Sequence, residues 1–528
     1  MISHTLHEIR VDLARAIKAG LIKILSLMNV YIRCIQSGSK YYIILSLLVL
    51  SMASLVNIYQ KRVRIGDPHT NSDTSTRVSM LFSIYDALVQ RDQIGTYKPG
   101  VAESWSVSPD AKTWLFKLRK KVLFHNGEIL VAEDVVATFN RFRDPSMEGE
   151  AGTKGVYPSY FEKTVASAPD DYTFKVELEA PMSDLLDVLI EMPIAPRKHL
   201  NTIEEDLTGT GPYMLEERSE NHLVMIANNN YWAGKVPYQK VNWFKVDDPL
   251  ERLEALNRGE ADLIPSLNVK LHDQVGSDAS IVEKESNVCM IYFFNAQKGP
   301  CMDKRVRQAL NYGINKQKLI HDVLDGAAYL LESVFSPLSL GYDPDVPGYR
   351  FDPDKAKKLL ADAGYGDGLN IALNKPFGDG WGTKKLSENL REQYELIGVE
   401  LEIVSYPDDA PGGYSDYVKS KQIDDMAWFD SSPLSTYRVC REKLHSGYKG
   451  AWWEGYSNAI VDSLIDRSER TLDLAKREEL FKGVYREAWE DPPWLYLYRP
   501  RMFWGVSEKL RKWIPAIDGL TFPFHFPK

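Results

Sequence analysis

Hydrophobic positions recur at two different spacings along this chain, and one stretch in its second half shows both. An apolar run over residues 291–294 stops at Asn295, which predicts a buried strand. Beyond a polar loop, Asp303 precedes apolar positions that are three and four residues apart, and Asn315 precedes a second such set, which ends at Gly326. The pattern predicts one strand followed by two capped, amphipathic helices.

The same succession of strands and helices extends over most of the chain. Every second position from Trp114 through Phe116 to Leu118 is a large apolar residue, as in a half-buried strand. Asp352, followed by Pro353, is predicted to cap a further helix. Residues 384–397 have the spacing of a helix, and residues 399–404 after them form another apolar strand. Strands that alternate with helices predict open α/β sheets, and 528 residues are enough for two or three compact units.

Four motifs resemble those of one known family: P-G-V-A-E-S-W at residues 99–105, G-T-G-P-Y at 209–213, D-K-R-V-R-Q-A-L-N-Y at 303–312 and G-Y-S-N at 455–458. They are similar to motifs of the extracellular solute-binding proteins of family 5, which serve peptide/nickel-type ABC importers. The similarity extends over about residues 60–505. It implies a two-lobed α/β fold of the periplasmic-binding-protein type (type II-like), with an extra α/β subdomain inserted in the first lobe and two strands crossing between the lobes.

The resemblance also implies boundaries for these units. The first lobe is expected to comprise residues 60–93, 206–294 and a C-terminal return over 491–528, with the subdomain over 94–205 and the second lobe over 295–490. Phe294 and Asn295, at the end of the predicted crossing strand, are expected to act as the hinge.

The function implied by the resemblance is that of a periplasmic receptor. It would capture a di- or oligopeptide by closing its lobes, and it would deliver the solute to a membrane permease that a separate ATPase drives. A monomer without a cofactor is expected. The same fold binding a nickel chelate, an opine or an oligosaccharide is the first alternative, and a membrane-tethered ligand sensor is the second.

The candidate ligand site follows from the position of Asp430. It ends an apolar run that contains Trp428, and ligands bind at the carboxyl ends of strands in open α/β sheets. In peptide-binding relatives an aspartate near this position pairs with the α-amino group of the ligand, although the spacing from the tryptophan is one residue shorter here. The alternative is that Asp430 only caps the following turn. Lys384 and Lys385 are candidates for binding a ligand carboxylate, and the alternative is that they are solvated lysines at the end of a helix. Trp453, Tyr456 and Asn458 are candidates for facing the cleft.

Composition and charge argue against other functions. A net charge of -9 disfavours a nucleic-acid surface, which needs a clustered positive field. The chain has no G-x-S-x-G or H-E-x-x-H motif, so we expect no enzyme, and its ten histidines have no ligand spacing that indicates a metal site. His125 beside a predicted turn is expected to be structural. Cys289, Cys301 and Cys440 allow one disulfide or three buried thiols.

The N-terminal segment predicts export. Residues 1–40 form a basic, amphipathic region, and residues 41–59 carry no charge. Small residues at Ser51 and Ala53 suit cleavage of a signal peptide after Ala53, whereas an uncleaved segment would anchor the protein in the inner membrane. Either reading predicts that the body lies outside that membrane.

Overall fold

The computed structural model describes residues 54–70, 75–92, 95–147, 156–377, 382–407, 413–431, 435–517 and 519–527. Its strands are β1 Leu55–Gln60, β2 Val89–Arg91, β3 Tyr97–Pro99, β4 Ala102–Val107, β5 Thr113–Leu118, β6 Val165–Asp170, β7 Thr173–Glu177, β8 Tyr213–Arg218, β9 His222–Ala227, β10 Lys240–Lys245, β11 Leu263–Pro265, β12 Ala279–Glu285, β13 Cys289–Phe294, β14 Ala328–Leu330, β15 Leu369–Pro376, β16 Val399–Tyr406, β17 Met426–Ser431 and β18 Trp494–Ser507.

The α-helices of the described residues are α1 Ser75–Ile84, α2 Ala132–Phe142, α3 Val156–Phe161, α4 Leu185–Leu189, α5 Ile203–Asp206, α6 Pro249–Asn257, α7 Lys304–Tyr312, α8 Lys316–Leu324, α9 Pro353–Asp362, α10 Thr383–Glu395, α11 Tyr414–Lys419, α12 Thr436–Val439, α13 Ala459–Glu469 and α14 Leu474–Glu490. A π-helical turn over Cys440–Leu444 continues α12. The helices begin where the sequence predicts caps: the side chains of Asp303, Asn315 and Asp352 accept backbone N–H groups at the starts of α7, α8 and α9.

One twelve-stranded sheet extends through both lobes. Its main path runs β16-β15-β17-β13-β18-β11-β1-β10-β9-β8, and β12 and β14 also pair with β18. Strands β8–β12 with β1 form the first lobe, and β13–β17 form the second. The strand β18 belongs to both, because Trp494 to Tyr498 pair with β13 and Arg501 to Ser507 pair with β12.

A separate four-stranded sheet, β4-β5-β7-β6, forms the inserted subdomain. Phe116, Phe139 and Phe174 make its core together with α2. This core continues into the second lobe, since Tyr160 of α3 lies 6.0 Å from the ring of Tyr437 in α12. The subdomain therefore contacts the second lobe across the boundary between the lobes.

The chain passes between the lobes at two places that lie side by side. Glu285 pairs with Arg501 at the end of β12, and Met290 pairs with Tyr498 at the start of β13, so residues 286–288 form the first crossing. Residues 499–500 of β18 form the second. Phe294 and Asn295, which the sequence assigned to the hinge, lie at the far end of β13, where Asn295 is buried and donates its amide to the carbonyls of Ile423 and Asp424.

The first strand begins earlier than the sequence suggests. Leu55–Gln60, which overlaps the end of the uncharged run at 41–59, is β1, and it pairs in parallel with β10. Val56 and Ile58 are fully buried between the layers of the first lobe. Residues 1–53, with the rest of the predicted signal peptide or anchor, lie outside the described residues.

The state of the cysteines, which the sequence left open, has a structural answer. Cys289, Cys301 and Cys440 are buried, unpaired thiols rather than partners in a disulfide, and Cys34 lies outside the described residues. In the part of the chain that the structure describes, no helix is both long enough and apolar enough to span a membrane.

Candidate functional site

Asp430 lies next to the last residue of β17, at the edge of the second lobe that faces the first. It is partly exposed, and its backbone carbonyl accepts a hydrogen bond of 3.1 Å from the ammonium group of Lys443. Burial lowers the pKa of Lys443, and the nearby charge of Asp430 opposes that effect. Asp430 therefore lies beside the cation of Lys443. The ammonium group of a ligand would have to share Asp430 with Lys443 or displace Lys443 from it.

Charged groups of both signs meet at this boundary. Arg438 in α12 donates from Nε to Glu442 Oε1 at 2.8 Å, and its Nη1 lies 3.5 Å from Glu191 Oε1 of the first lobe. Tyr160 of the subdomain donates its hydroxyl to Glu442 at 2.6 Å. Arg438 and Glu442 are both nearly inaccessible to solvent, so their charges act in a medium of low dielectric constant.

A second group of contacts closes the same boundary. The hydroxyl of Ser435 donates to Asp187 Oδ2 at 2.5 Å, and Arg91 binds the other oxygen of Asp187 at 2.8 Å. Farther along, Arg477 donates to the carbonyl of Ser183 at 3.1 Å and lies 3.4 Å from Asp184. The contacts of Ser435 and Arg477 join the second lobe to the subdomain, and Arg91 ties Asp187 of the subdomain to the first lobe.

Three of the residues predicted from the sequence lie in β17 or follow the same edge of the sheet as Asp430. Trp428 belongs to β17 but is only 9% exposed, and its carbonyl accepts the hydroxyl of Tyr414 at 2.7 Å. Lys384 and Lys385 are exposed in the first turn of α10, which follows β15. Because β15 is parallel to β17 and pairs with it, these lysines follow the same edge of the sheet as Asp430.

The segment that carries the other three predicted residues passes along β17. The ring of Trp452 lies 4.4 Å from that of Phe429, beside Asp430, and Trp453 follows it. The next residue, Glu454, accepts the N–H of Ala296, which follows Asn295 beside the start of β17 because β13 is antiparallel to β17. Tyr456 and Asn458 come after this point, so the structure places them toward the edge opposite Asp430.

Each of these three residues has a structural role where it lies. Asn458 caps α13 by accepting two backbone N–H groups, and its amide lies 3.2 Å from Asp491. Trp453 donates its indole N–H to the carbonyl of Tyr456 at 2.6 Å, and Tyr456 is 3% exposed. Their position depends on the antiparallel pairing of distant strands, which the local sequence pattern does not reveal.

The first lobe contributes a cavity that the sequence did not indicate. It has a volume of about 100 Å³ and mostly apolar walls. Its lining comes from α1, the segment after it, residues 190–191 and the C-terminal tail: Val78, Phe82, Tyr85, Asp86, Ala87, Val89, Gln90, Arg91, Asp92, Ile190, Glu191, Ala516, Ile517, Leu520, Phe522, Phe524 and His525. These residues are far apart in sequence, and the tail lies beyond the region of family resemblance, so no local signal could identify them.

His125 and the glycine-rich turn at residues 209–213 hold each other in place. The backbone N–H of His125 donates to the carbonyl of Gly209 at 2.9 Å, and its Nε2 lies 3.1 Å from the carbonyl of Gly211. Burial lowers the pKa of His125 to about 4, so the ring is neutral at pH 7. Both features have structural roles, which for His125 is the role that the sequence predicts.

Comparison with known proteins agrees with this architecture. The family model described as bacterial extracellular solute-binding proteins, family 5 Middle, matches residues 96–436. Heme-binding protein A of Haemophilus influenzae is 25% identical over 478 residues, which are 83% of this chain and 85% of the relative. The dipeptide-binding protein of Escherichia coli is 26% identical over 476 residues, which are 82% and 86% of the two chains.

Solved structures show the same fold. HbpA2 of Haemophilus parasuis superimposes with a TM-score of 0.77 at 20% identity, over 90% of this chain and 99% of that one. DppA of Helicobacter pylori, a periplasmic binding protein solved in complex with the peptide STSA, gives 0.74 at 22% identity, also over 90% and 99%. With the family model covering more than half of the sequence, the chain belongs to the bacterial extracellular solute-binding proteins of family 5.

Proposed function

We propose that the protein is the receptor of an ABC importer and that it captures a short peptide between its two lobes. The observation that carries this proposal is the set of charges of both signs at the boundary: Asp430 and Glu191 as acids, Arg438 and Lys443 as bases. A peptide is a zwitterion, so its ammonium and carboxylate groups can each meet a group of opposite charge there. The relatives named for dipeptide and peptide binding support the same class of ligand.

Capture would occur by closure of the lobes. We place the hinge at residues 286–288 and 499–500, because there the chain passes between two groups of strands that each have a core of their own. A solute that contacts both walls of the boundary binds the closed form better than the open form, and it therefore shifts the population toward closure.

The closed complex would then dock on a permease in the inner membrane, which a separate ATPase subunit drives. The relatives are named as binding proteins, which supports a receptor rather than an enzyme.

A cleaved signal peptide is the form of export that we propose. Strand β1 begins at Leu55, which leaves an uncharged run of only residues 41–54 in front of the folded body. Such a run is shorter than the roughly 20 residues that span a bilayer and has the length of the apolar region of a signal peptide. Intact mass spectrometry of the protein from the periplasm should therefore find an N-terminus near Ser54; an N-terminus upstream of residue 41 would instead support the anchored form.

The role of Asp430 is tested by comparing free and blocked peptides. We expect Asp430→Asn to weaken the binding of trialanine at least tenfold, because a charged hydrogen bond to the α-ammonium group is lost. N-acetyl-trialanine lacks that charge, so its weaker binding should not change. Isothermal titration calorimetry measures both, and Asp278→Asn, at an exposed site far from the boundary, is the matched control.

Three other outcomes would change the proposal in different ways. If Asp430→Asn left the binding of both peptides unchanged, the receptor would stand and this aspartate would not be the amine anchor. Equal losses for free and acetylated trialanine would point to a structural effect. Binding only of sugars, opines or nickel–histidine would replace peptides by another class of solute for the same fold.

A further inference from the structure

The apolar cavity of the first lobe opens beside the boundary at which the two lobes meet. Glu191 lines the cavity, and its carboxylate lies 3.5 Å from Arg438 of the second lobe. Arg91 also lines it, and this arginine binds Asp187, which in turn accepts the hydroxyl of Ser435. A solute bound between the lobes would therefore lie next to this cavity.

Contacts that the lining segments make with the rest of the first lobe hold the walls of the cavity in place, so its shape does not depend on a bound solute. Trp513 in the C-terminal tail packs against Trp504 of β18 and against Phe526, with ring centroids 5.7 and 5.5 Å apart. The backbone N–H of Thr521 donates to Ser79 in α1 at 3.0 Å. The tail is thus fixed to the helix that forms the opposite wall.

The single buried carboxylate in the lining is already satisfied by the protein. Asp86 accepts hydrogen bonds from Thr210 and Trp232 on one oxygen, at 2.9 and 2.8 Å, and from Tyr231 and Gln90 on the other, each at 3.1 Å. Its charge is taken up by these four donors, so it does not require a cationic group in the cavity. The walls that remain are mostly apolar, so the cavity offers a ligand chiefly apolar contact.

We propose that this cavity is a subsite that receives one aliphatic side chain of the captured solute, an inference that rests on the proposed function. Its volume of about 100 Å³ is smaller than an engineered apolar cavity of about 150 Å³ that holds benzene. It suits a branched or thioether side chain such as that of leucine or methionine, and it excludes an indole. The cavity selects peptides by the size of one side chain, while the charges at the boundary hold the peptide termini.

The test is a series of tripeptides that differ only in one side chain. Trialanine is compared with Leu-Ala-Ala, Ala-Leu-Ala and Ala-Ala-Leu, and with the three corresponding tryptophan peptides, by calorimetry on the purified protein. We expect one leucine peptide to bind at least tenfold more tightly than trialanine, because burial of the extra methylene groups adds to binding. The tryptophan peptide of the same position should bind no better than trialanine.

Two variants test whether the gain in affinity for the leucine peptide comes from the cavity. Ala516→Leu fills it from the tail, and it should abolish the preference for the leucine peptide over trialanine. Ile517→Ala enlarges it and should raise the affinity for the tryptophan peptide. Thermal melting checks that both variants fold, and the enlarging variant keeps the test valid if the filled one does not fold.

The remaining outcomes are distinct from failure of the proposed function. If trialanine binds and no leucine peptide binds better, or if Ala516→Leu weakens both equally, the subsite is refuted while the receptor stands. If no peptide binds, 4-methylpentanoate and acetate are compared instead. Tighter binding of 4-methylpentanoate that is lost in Ala516→Leu would keep the aliphatic subsite and reject peptides as the solute, and equal binding of the two would reject both.

Discussion

Glu454 shows how burial alone can make a single side chain respond to pH. The residue is 3% exposed, and its nearest cation, the Nζ of Lys421, lies 3.5 Å from Oε1, which is too far for a strong hydrogen bond. Burial raises the pKa of Glu454 to about 7, and Lys421 only partly opposes that rise. A carboxyl group in this position is therefore partly protonated in the folded protein at neutral pH.

This raised pKa predicts that the protein loses stability as the pH rises. The unfolded chain releases the Glu454 proton near pH 4.5, whereas the folded chain keeps it until about pH 7, so this group lowers the free energy of unfolding across that interval. The loss has an upper bound of about 3 kcal/mol. Glu454→Gln should flatten the pH dependence measured by urea unfolding, and Glu400→Gln, at an exposed position in β16, should not. Parallel curves for wild type and Glu454→Gln would contradict this.

At the same scale, the sequence predicted those residues whose role depends on near neighbours. The caps at Asp303, Asn315 and Asp352 follow from spacings of a few residues, and the structure contains all three. Trp453, Tyr456 and Asn458 were candidates for facing the cleft, because aromatic side chains offer the flat surfaces that a peptide or sugar cleft uses. Their actual position depends on which strands pair, and that information is not local.

At the scale of elements, the turn at residues 209–213 joins α1 to the start of β8. The N–H of Gly211 donates to the carbonyl of Ile84 at 2.8 Å, and a Cβ atom added to Gly211 would lie 2.6 Å from that oxygen. Gly211 and Ile84 both make this contact with backbone atoms, so neither residue can move away without shifting α1 or β8. This explains why glycine is needed here without any phosphate-binding role.

Gly211→Ala should therefore destabilise the protein by about 3 kcal/mol or more, the upper range for overpacking at a rigid contact. Urea unfolding monitored by circular dichroism measures the change. Gly366→Ala is the control, because its added Cβ would meet Ala361 at an ordinary 3.6 Å. A loss for Gly211→Ala no larger than that for Gly366→Ala would mean that the turn adapts.

For the whole molecule, the contacts between the subdomain and the second lobe set how easily the lobes separate. Arg477 and Asp184 are almost completely buried where they meet, and burial raises the pKa of Asp184 although Arg477 lowers it. The Arg477–Asp184 pair stabilises the protein only while the subdomain and the second lobe are in contact. Its loss should therefore act on the open–closed equilibrium as well as on folding.

Arg477→Met should shift the protein toward the open form. We expect small-angle X-ray scattering to give a larger radius of gyration without peptide, and trialanine to bind several-fold more weakly, because closure then costs more free energy. Arg470→Met removes the same charge at an exposed position at the end of α13 and should change neither quantity. An unchanged radius for Arg477→Met would show that this pair does not control closure.

The two-lobed architecture could be predicted from the sequence, but the place where the lobes join could not. The strand predicted at residues 291–294 exists as part of β13, yet the crossing lies before it, at residues 286–288, because β12 and β13 share β18 as their partner. The polar residues around this crossing show no apolar periodicity that would mark it. The cavity of the first lobe, whose lining spans residues 78–525, depends on contacts of the same long range.

The shared strand β18 has a consequence for how the protein is made. It begins 200 residues after the end of β13, yet it lies in the middle of the sheet, between β13 and β11. Because the ribosome makes the chain from its N-terminus, β13 and β11 lack their common neighbour until this long intervening stretch has been made. The nascent chain therefore cannot complete either lobe early, and a secretion channel that admits only unfolded polypeptide would receive it in a suitable state.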